Sequence, residues 1–374
     1  MKKILSVLLL FLLCSGMIFA GGAGESTASA DGSYKIGVIL YGREDTLGGR
    51  IYSLINDAAE ALGCEVTFAL GDYDPTAQIT SAENLIASGV DGLIVLPLAE
   101  TTSQRVSMLC RNNGVYFGLL LRTVQNETIA EEVRSNPYFV GNILGDDVGN
   151  AKELARILIE ENGRTELCMY YASEGTSMAL RNEGIRQALD EYGAVQLAEA
   201  MIPTDSNTSP VASTVQNFVN TNVGIDGIIS AAGSSGIGEA INSVLYSMPD
   251  KDVKYVCFDT FDGMLDAFEG GTLVAVCGGQ ATSAIYLFSM LYNAIDGHPL
   301  TETGQELLMP YMFLRSAEEA ENFNSYIDNP EVAIYSDDEI RAMTVRHNPS
   351  FNWEELQNIM FDYTYENIIS RMQI

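Results

Sequence analysis

Apolar and polar positions fall in blocks along this chain, and the blocks repeat. The run Ile36 to Tyr41 (IGVILY) leads through a polar turn, Gly42 to Gly49, into a segment with Ile51, Leu54, Ile55, Ala58, Ala59 and Leu62 at three- and four-residue spacing. That spacing lines one face of a helix, which Gly63 ends. A second run (64–70), a helix over 79–87 and a third run (92–97) complete a β-α-β-α-β series. Strands this uniformly apolar are buried on both faces, as in a parallel sheet covered by helices. Ligands of such sheets sit outside the carboxyl ends of the strands, so the turns at 41–50, 71–78 and 97–103 are where a site is expected.

The rhythm continues through a helix at 101–112 and a strand at 115–121 that closes on Arg122. Residues 123–137 are polar and turn-rich, and after them the alternation restarts. Strands are predicted at 138–143, 166–172, 195–202, 224–230, 253–259 and 273–279, with helices at 146–161, 178–192, 209–221, 236–247 and 283–297. Past LLMPYMFL (307–314) the alternation stops. The last sixty or so residues are acidic, aromatic and helical in pattern, with a helix start at Glu354 to Met360. Trp353, Phe361, Tyr363 and Tyr365 are expected to pack this tail onto the body. The fold class that follows is α/β: two doubly wound parallel-sheet lobes and a helical C-terminal tail.

Charge narrows the function. Fifty acidic against twenty basic residues give a net charge of −30, a field that repels nucleic acid. The chain opens with a basic start, an apolar stretch and a small-residue exit near Ala20 to Ala23, which reads as a secretion signal. The mature protein is thus expected outside the cytoplasm, periplasmic or extracellular. A lipid anchor on Cys14 is the less favoured alternative, because Leu13 stands where that processing wants a small residue. The five later cysteines show no CxxC spacing, so neither a zinc site nor a disulfide framework is indicated. Cys257 and Cys277 would form a bridge only if they faced each other on adjacent strands. His298 and His347 lie in polar sequence, and Ser173, Glu174 and Ser177 lack a partnering histidine, so catalysis is not expected.

Several segments together resemble the type I periplasmic solute-binding family, the galactose- and ribose-binding proteins and their relatives. They are YKIGVILYGRED, DPTAQITSAENLIASGVDGLIVLP, SEGTSMALRNEGI, GIDGIISAAGSSGIGEAI and VCFDTFDGML, in the family's order, within residues 34–314. The resemblance implies lobes joined by crossing strands near 122–138, 259–280 and 300–314. It divides the chain into a signal (1–23), a lead-in (24–33), a first lobe (34–122 with 280–305), a second lobe (138–279 with 306–314) and a tail (315–374).

The resemblance also implies a small polar ligand, a sugar or sugar derivative, clamped by a monomer and delivered to the membrane permease of an ABC importer; the alternatives are delivery to a sensor, or a nucleoside or other non-sugar ligand. By motif position, Asp45, Arg122, Arg181 and Asp259 are its candidate ligand-binding residues, with Tyr41 and Gln280. Departures are visible: Leu47 replaces an aromatic, Ala232-Gly233 replaces an Asn-Asp pair, and ENGRTEL lacks the alternating acids of a calcium loop. No cofactor or metal is expected. With the usual stacking rings missing, Tyr41, Tyr73, Tyr171 and Phe261 are the substitutes near strand ends.

Overall fold

The computed structural model describes residues 33–44, 46–173, 177–202, 209–234 and 236–372, so the signal segment and Asp45 lie outside the described residues. The first series runs β1 (Lys35–Leu40), α1 (Thr46–Leu62), β2 (Glu65–Leu70), α2 (Pro75–Ala87), β3 (Gly92–Val95), α3 (Glu100–Asn113), β4 (Tyr116–Leu120), α4 (Glu127–Arg134) and β5 (Phe139–Gly145). The second runs α5 (Asp147–Arg156, continued by a π turn to Glu161), β6 (Glu166–Tyr171), α6 (Ala179–Tyr192), β7 (Val195–Met201), α7 (Ser209–Thr221), β8 (Gly227–Ser230), α8 (Ile237–Tyr246), β9 (Lys254–Phe258), α9 (Met264–Glu269) and β10 (Leu273–Gly278). Then come α10 (Ser283–Ile295), β11 (Gln305–Met309), β12 (Met312–Leu314) and the tail helices α11 (Ala317–Asn322), α12 (Asp337–Ala342), α13 (Trp353–Phe361) and α14 (Tyr365–Met372).

The strands form two six-stranded sheets of matching plan, β2-β1-β3-β4-β5-β11 and β7-β6-β8-β9-β10-β12. All recorded neighbours are parallel except β12, which runs antiparallel to β10. Central strands β3 and β8 are buried along their whole length, as their unbroken apolar runs require. In both sheets the chain order reverses beside the first strand, which opens a crevice at the carboxyl edge.

Some boundaries differ from the sequence reading. The turn predicted at 42–49 already contains the start of α1, whose Gly48 and Arg50 are buried. The polar stretch 123–137 contains α4: the Asn126 side chain caps its first turn at Thr128 and Ile129, and Ala130 and Val133 bury one face. β5 and β11 belong to the first sheet, although 138–279 and 306–314 were assigned to the second lobe. Periodicity shows that a strand exists but not which sheet it joins. The chain therefore passes between the sheets at 145–147, 279–282 and 309–312, the last across Pro310. Cys257 and Cys277 are free thiols. Cys257 is registered opposite Val276, so Cys277 is one residue out of step and projects from the other face.

The tail packs on both lobes. Arg50 of α1 donates from Nε to the Ile327 carbonyl and from Nη2 to that of Val332, each at 2.8 Å. Thr282 donates to the Tyr363 hydroxyl at 2.7 Å, and the Tyr286 and Tyr335 hydroxyls meet at 2.7 Å. On the other lobe α11 packs against α9. Of the four aromatics expected to dock the tail, Tyr363 is buried, Trp353 and Tyr365 are half-buried, and Phe361 is exposed. Phe361 closes α13 on its solvent side, where helical spacing turns it away from Leu356 and Met360.

Candidate ligand-binding cleft

The loops after the strands of both sheets converge on one cavity of about 170 Å³. From the first sheet come Tyr41 after β1, Tyr73 after β2, Leu98 after β3 and Arg122 after β4. From the second come Met178 and Arg181 at the start of α6, Ser234 after β8, Asp259 and Thr260 after β9, and Gln280 after β10. Tyr311 stands in the crossing between β11 and β12.

Three of these strand ends turn through left-handed backbone at residues other than glycine: Tyr73 (φ 59°), Leu121 (φ 56°) and Asp259 (φ 63°). Such conformations cost of order 1 kcal/mol or more each and persist where the surroundings over-determine them. Here they aim side chains at the cavity. The Tyr41 and Tyr73 rings lie 5.1 Å apart at 34°, a tilted pair on its wall.

Arg181 is a fixed post. Its Nε donates to Asp147 at 2.8 Å, and its Nη1 donates to the Ala231 carbonyl at 2.8 Å and to Asp259 at 3.1 Å. The guanidinium lies 4.0 Å from the centre of the Phe258 ring. Burial works against its charge, but Asp259 and Asp147 hold its proton more firmly than in a free arginine. Burial pushes the Asp147 carboxyl up, against the pull of Arg181. The other Asp259 oxygen accepts from Gln280 Nε2 at 2.9 Å, so an acid and an amide are held together as one surface.

Arg122 is placed differently. Its Nη1 donates to the Leu121 carbonyl at 3.1 Å, its own carbonyl accepts from Asn142, and among the described residues no carboxylate pairs with it. It is the cavity's cation with donors to spare.

Two glycines make room for this arrangement. A Cβ on Gly233 would stand 2.7 Å from the Phe258 carbonyl and 2.8 Å from that of Asp259, and one on Gly145 would stand 2.3 Å from the Tyr311 hydroxyl. Gly233, in the place of an expected polar pair, is thus what lets the β9 loop approach.

Five sequence candidates, Tyr41, Arg122, Arg181, Asp259 and Gln280, line this one cavity, and Asp45 lies outside the described residues. Tyr73 lines it as well, whereas Phe261 is buried under α8 against Gly238 and Tyr171 does not reach it. The sequence reading missed Tyr311, Thr260 and Asp328. Pro310 beside Tyr311 marked a break between strands and was a usable signal, while Asp328 arrives from the tail with none. Among the described residues no cluster of potential metal ligands occurs.

Comparison with known proteins agrees with this plan. A family model described as "Periplasmic binding protein domain" matches residues 36–299. The chain is 24% identical over 259 residues to a xylitol-binding protein of Mycolicibacterium smegmatis, covering 68% of this chain and 70% of that one. Its structure is similar to a periplasmic sugar-binding protein from Pseudomonas fluorescens (TM-score 0.71, 15% identity, 89% of this chain and 99% of that one). It is also similar to an ABC transporter solute-binding protein from Bacillus halodurans with bound myo-inositol (TM-score 0.64, 17% identity, 79% and 99%). With two sheets of one plan and a family match over most of its length, the chain belongs to the periplasmic binding protein domain family, a family of binding proteins and not of enzymes.

Proposed function

We propose that this protein is an exported solute-binding component that takes a small, uncharged, polyhydroxy molecule, a sugar or sugar alcohol, and presents it to an ABC-type membrane importer. The observation that carries this is the balanced polar lining of a cavity fed by both sheets. Among the described residues the lining carries Arg122 and Arg181 against Asp259 and Asp328, so charge of neither sign prevails on the wall. Donors (Arg122, Gln280) and acceptors (Asp259) face one space, which matches hydroxyls that both give and accept. The tilted Tyr41–Tyr73 pair supplies an apolar face for CH groups.

Size supports a small ligand. A dry engineered cavity of roughly 150 Å³ holds benzene, so about 170 Å³ fits a monosaccharide-sized solute far better than an oligomer. The relatives point the same way, being described as binding xylitol and myo-inositol.

The test is a thermal-shift screen of sugar alcohols, inositols, pentoses, hexoses, nucleosides and amino acids. At a hundred-fold excess over Kd a ligand stabilises by about 2.7 kcal/mol, readily seen as a rise in melting temperature. A rise with polyols or sugars is expected, and a rise with nucleosides or amino acids alone contradicts the ligand class. Disrupting the gene should abolish uptake of the hit. Normal uptake with a lost response to it would replace the importer by a sensor.

A further inference from the structure

The cavity has one wall that the two-lobe plan does not account for. Asp328 lines it, yet it comes from the C-terminal tail, beyond residue 299 where the family match ends. We propose that Asp328 is a ligand-contacting and specificity-determining residue, with the tail supplying the acid that accepts a hydrogen bond from a solute hydroxyl. The inference rests on the solute-binding reading above and deepens it.

The tail holds this carboxylate in place. Arg50 donates to carbonyls on both sides of it, at Ile327 and Val332, and the Asp328 amide donates to the Phe323 carbonyl at 2.9 Å. Its own oxygens are little satisfied. Oδ2 accepts from the Thr260 hydroxyl at 3.3 Å, a long bond, and among the described residues no cation forms an ion pair with it. Arg50, whose charge acts on this carboxyl, gives Nε and Nη2 to those carbonyls and Nη1 to Ser53 at 3.2 Å.

Burial pushes the Asp328 carboxyl up to about 6, opposed by Arg50 and the Thr260 bond and assisted by Asp262. The groups facing it are Arg50 on α1, Thr260 and Asp262 in the loop after β9, and Tyr363 in the tail, with Asp259, Arg122 and Arg181 around the same cavity. A half-buried carboxylate resting on one weak bond is a standing cost to the fold. A solute hydroxyl donating to it would relieve that cost. Because the tail also spans both lobes, such a bond would tie ligand, first-lobe helix and second-lobe loop together.

The experiment is calorimetric titration of the full chain with xylitol, myo-inositol, D-ribose and D-arabinose, for wild type, Asp328→Asn, Thr260→Val and, as a control on the exposed part of the same loop, Glu331→Gln. The best-bound probe should weaken tenfold or more in Asp328→Asn, weaken by less in Thr260→Val, and be unchanged in Glu331→Gln. Wild-type affinity should also fall on acidification through about pH 6, as the acceptor is protonated, and Asp328→Asn should flatten that fall. Unchanged binding in Asp328→Asn, within twofold, overturns the proposal. Should that variant not fold by circular dichroism, Asp328→Ser carries the same comparison. A wild type that binds none of these probes and none of the sugars and polyols of the thermal-shift screen overturns the polyhydroxy-solute reading and this inference with it, whereas binding of the best hit that ignores Asp328 overturns this inference alone.

Discussion

Replacing Arg181 by methionine removes the buried guanidinium that stands between Asp147 and Asp259. In the wild type it meets Asp147 at 2.8 Å and Asp259 at 3.1 Å, with the three side chains 5%, 7% and 15% exposed. Methionine is unbranched and able to pack against Phe258, so the loss is chiefly electrostatic. Breaking a buried pair by removing one partner costs about 3–5 kcal/mol. For a unit the size of one lobe, at roughly 2–4 °C per kcal/mol, melting should fall by about 6–20 °C. The sign with pH follows from the carboxyls. Burial already pushes the Asp147 carboxyl up, and without Arg181, which pulls it down, it rises further. An acid whose folded pKa is raised favours the folded state below its unfolded value, and that contribution is lost as pH rises through the folded value. The variant's deficit is therefore largest near about pH 8 and shrinks towards about pH 5. Melting followed by circular dichroism across this range is the assay. A shift under about 2 °C at the upper end, or a deficit indifferent to pH, would refute the view of Arg181 as the post that holds both acids.

Three further outcomes are expected. Arg50→Ala removes two charged donors from the Ile327 and Val332 carbonyls, so limited proteolysis should cut the tail between α11 and α12 faster, with a stability loss of about 2–4 kcal/mol by denaturant titration. Gly145→Val would drive a side chain into the Tyr311 hydroxyl at the third crossing, and calorimetry should find solute affinity reduced tenfold or more with secondary structure retained. Because Cys110, Cys168, Cys257 and Cys277 are buried free thiols, a thiol reagent should titrate them only after denaturation, and a reductant should leave the melting temperature unchanged.

Much of the two-lobe plan could be read from the chain, because central strands buried on both faces leave unbroken apolar runs such as Gly92 to Val95 and Gly227 to Ser230. What periodicity does not carry is which sheet a strand joins, and β5 and β11 were placed in the wrong lobe for that reason. Helix α4 escaped notice because just two of its eight residues, Ala130 and Val133, are buried. In the cleft, Arg122, Asp259 and Gln280 lie within two residues of a strand end, and the family resemblance is what marked them. Arg181 was marked too, but as a ligand fork, and two acids distant in sequence occupy it. Tyr311 and Asp328 reach the cavity through a crossing and a tail, placements set by long-range packing that no spacing along the chain encodes.

The central claim is that a small solute binds between the sheets at Arg122, which has no carboxylate partner among the described residues. Calorimetric titration of wild type and Arg122→Gln with the best compound from the screen tests it most directly. Loss of one charged contact to a buried ligand group costs about 2–5 kcal/mol, so Arg122→Gln should bind about thirty-fold more weakly or worse at an unchanged melting temperature. Equal affinity in the two proteins would contradict the account.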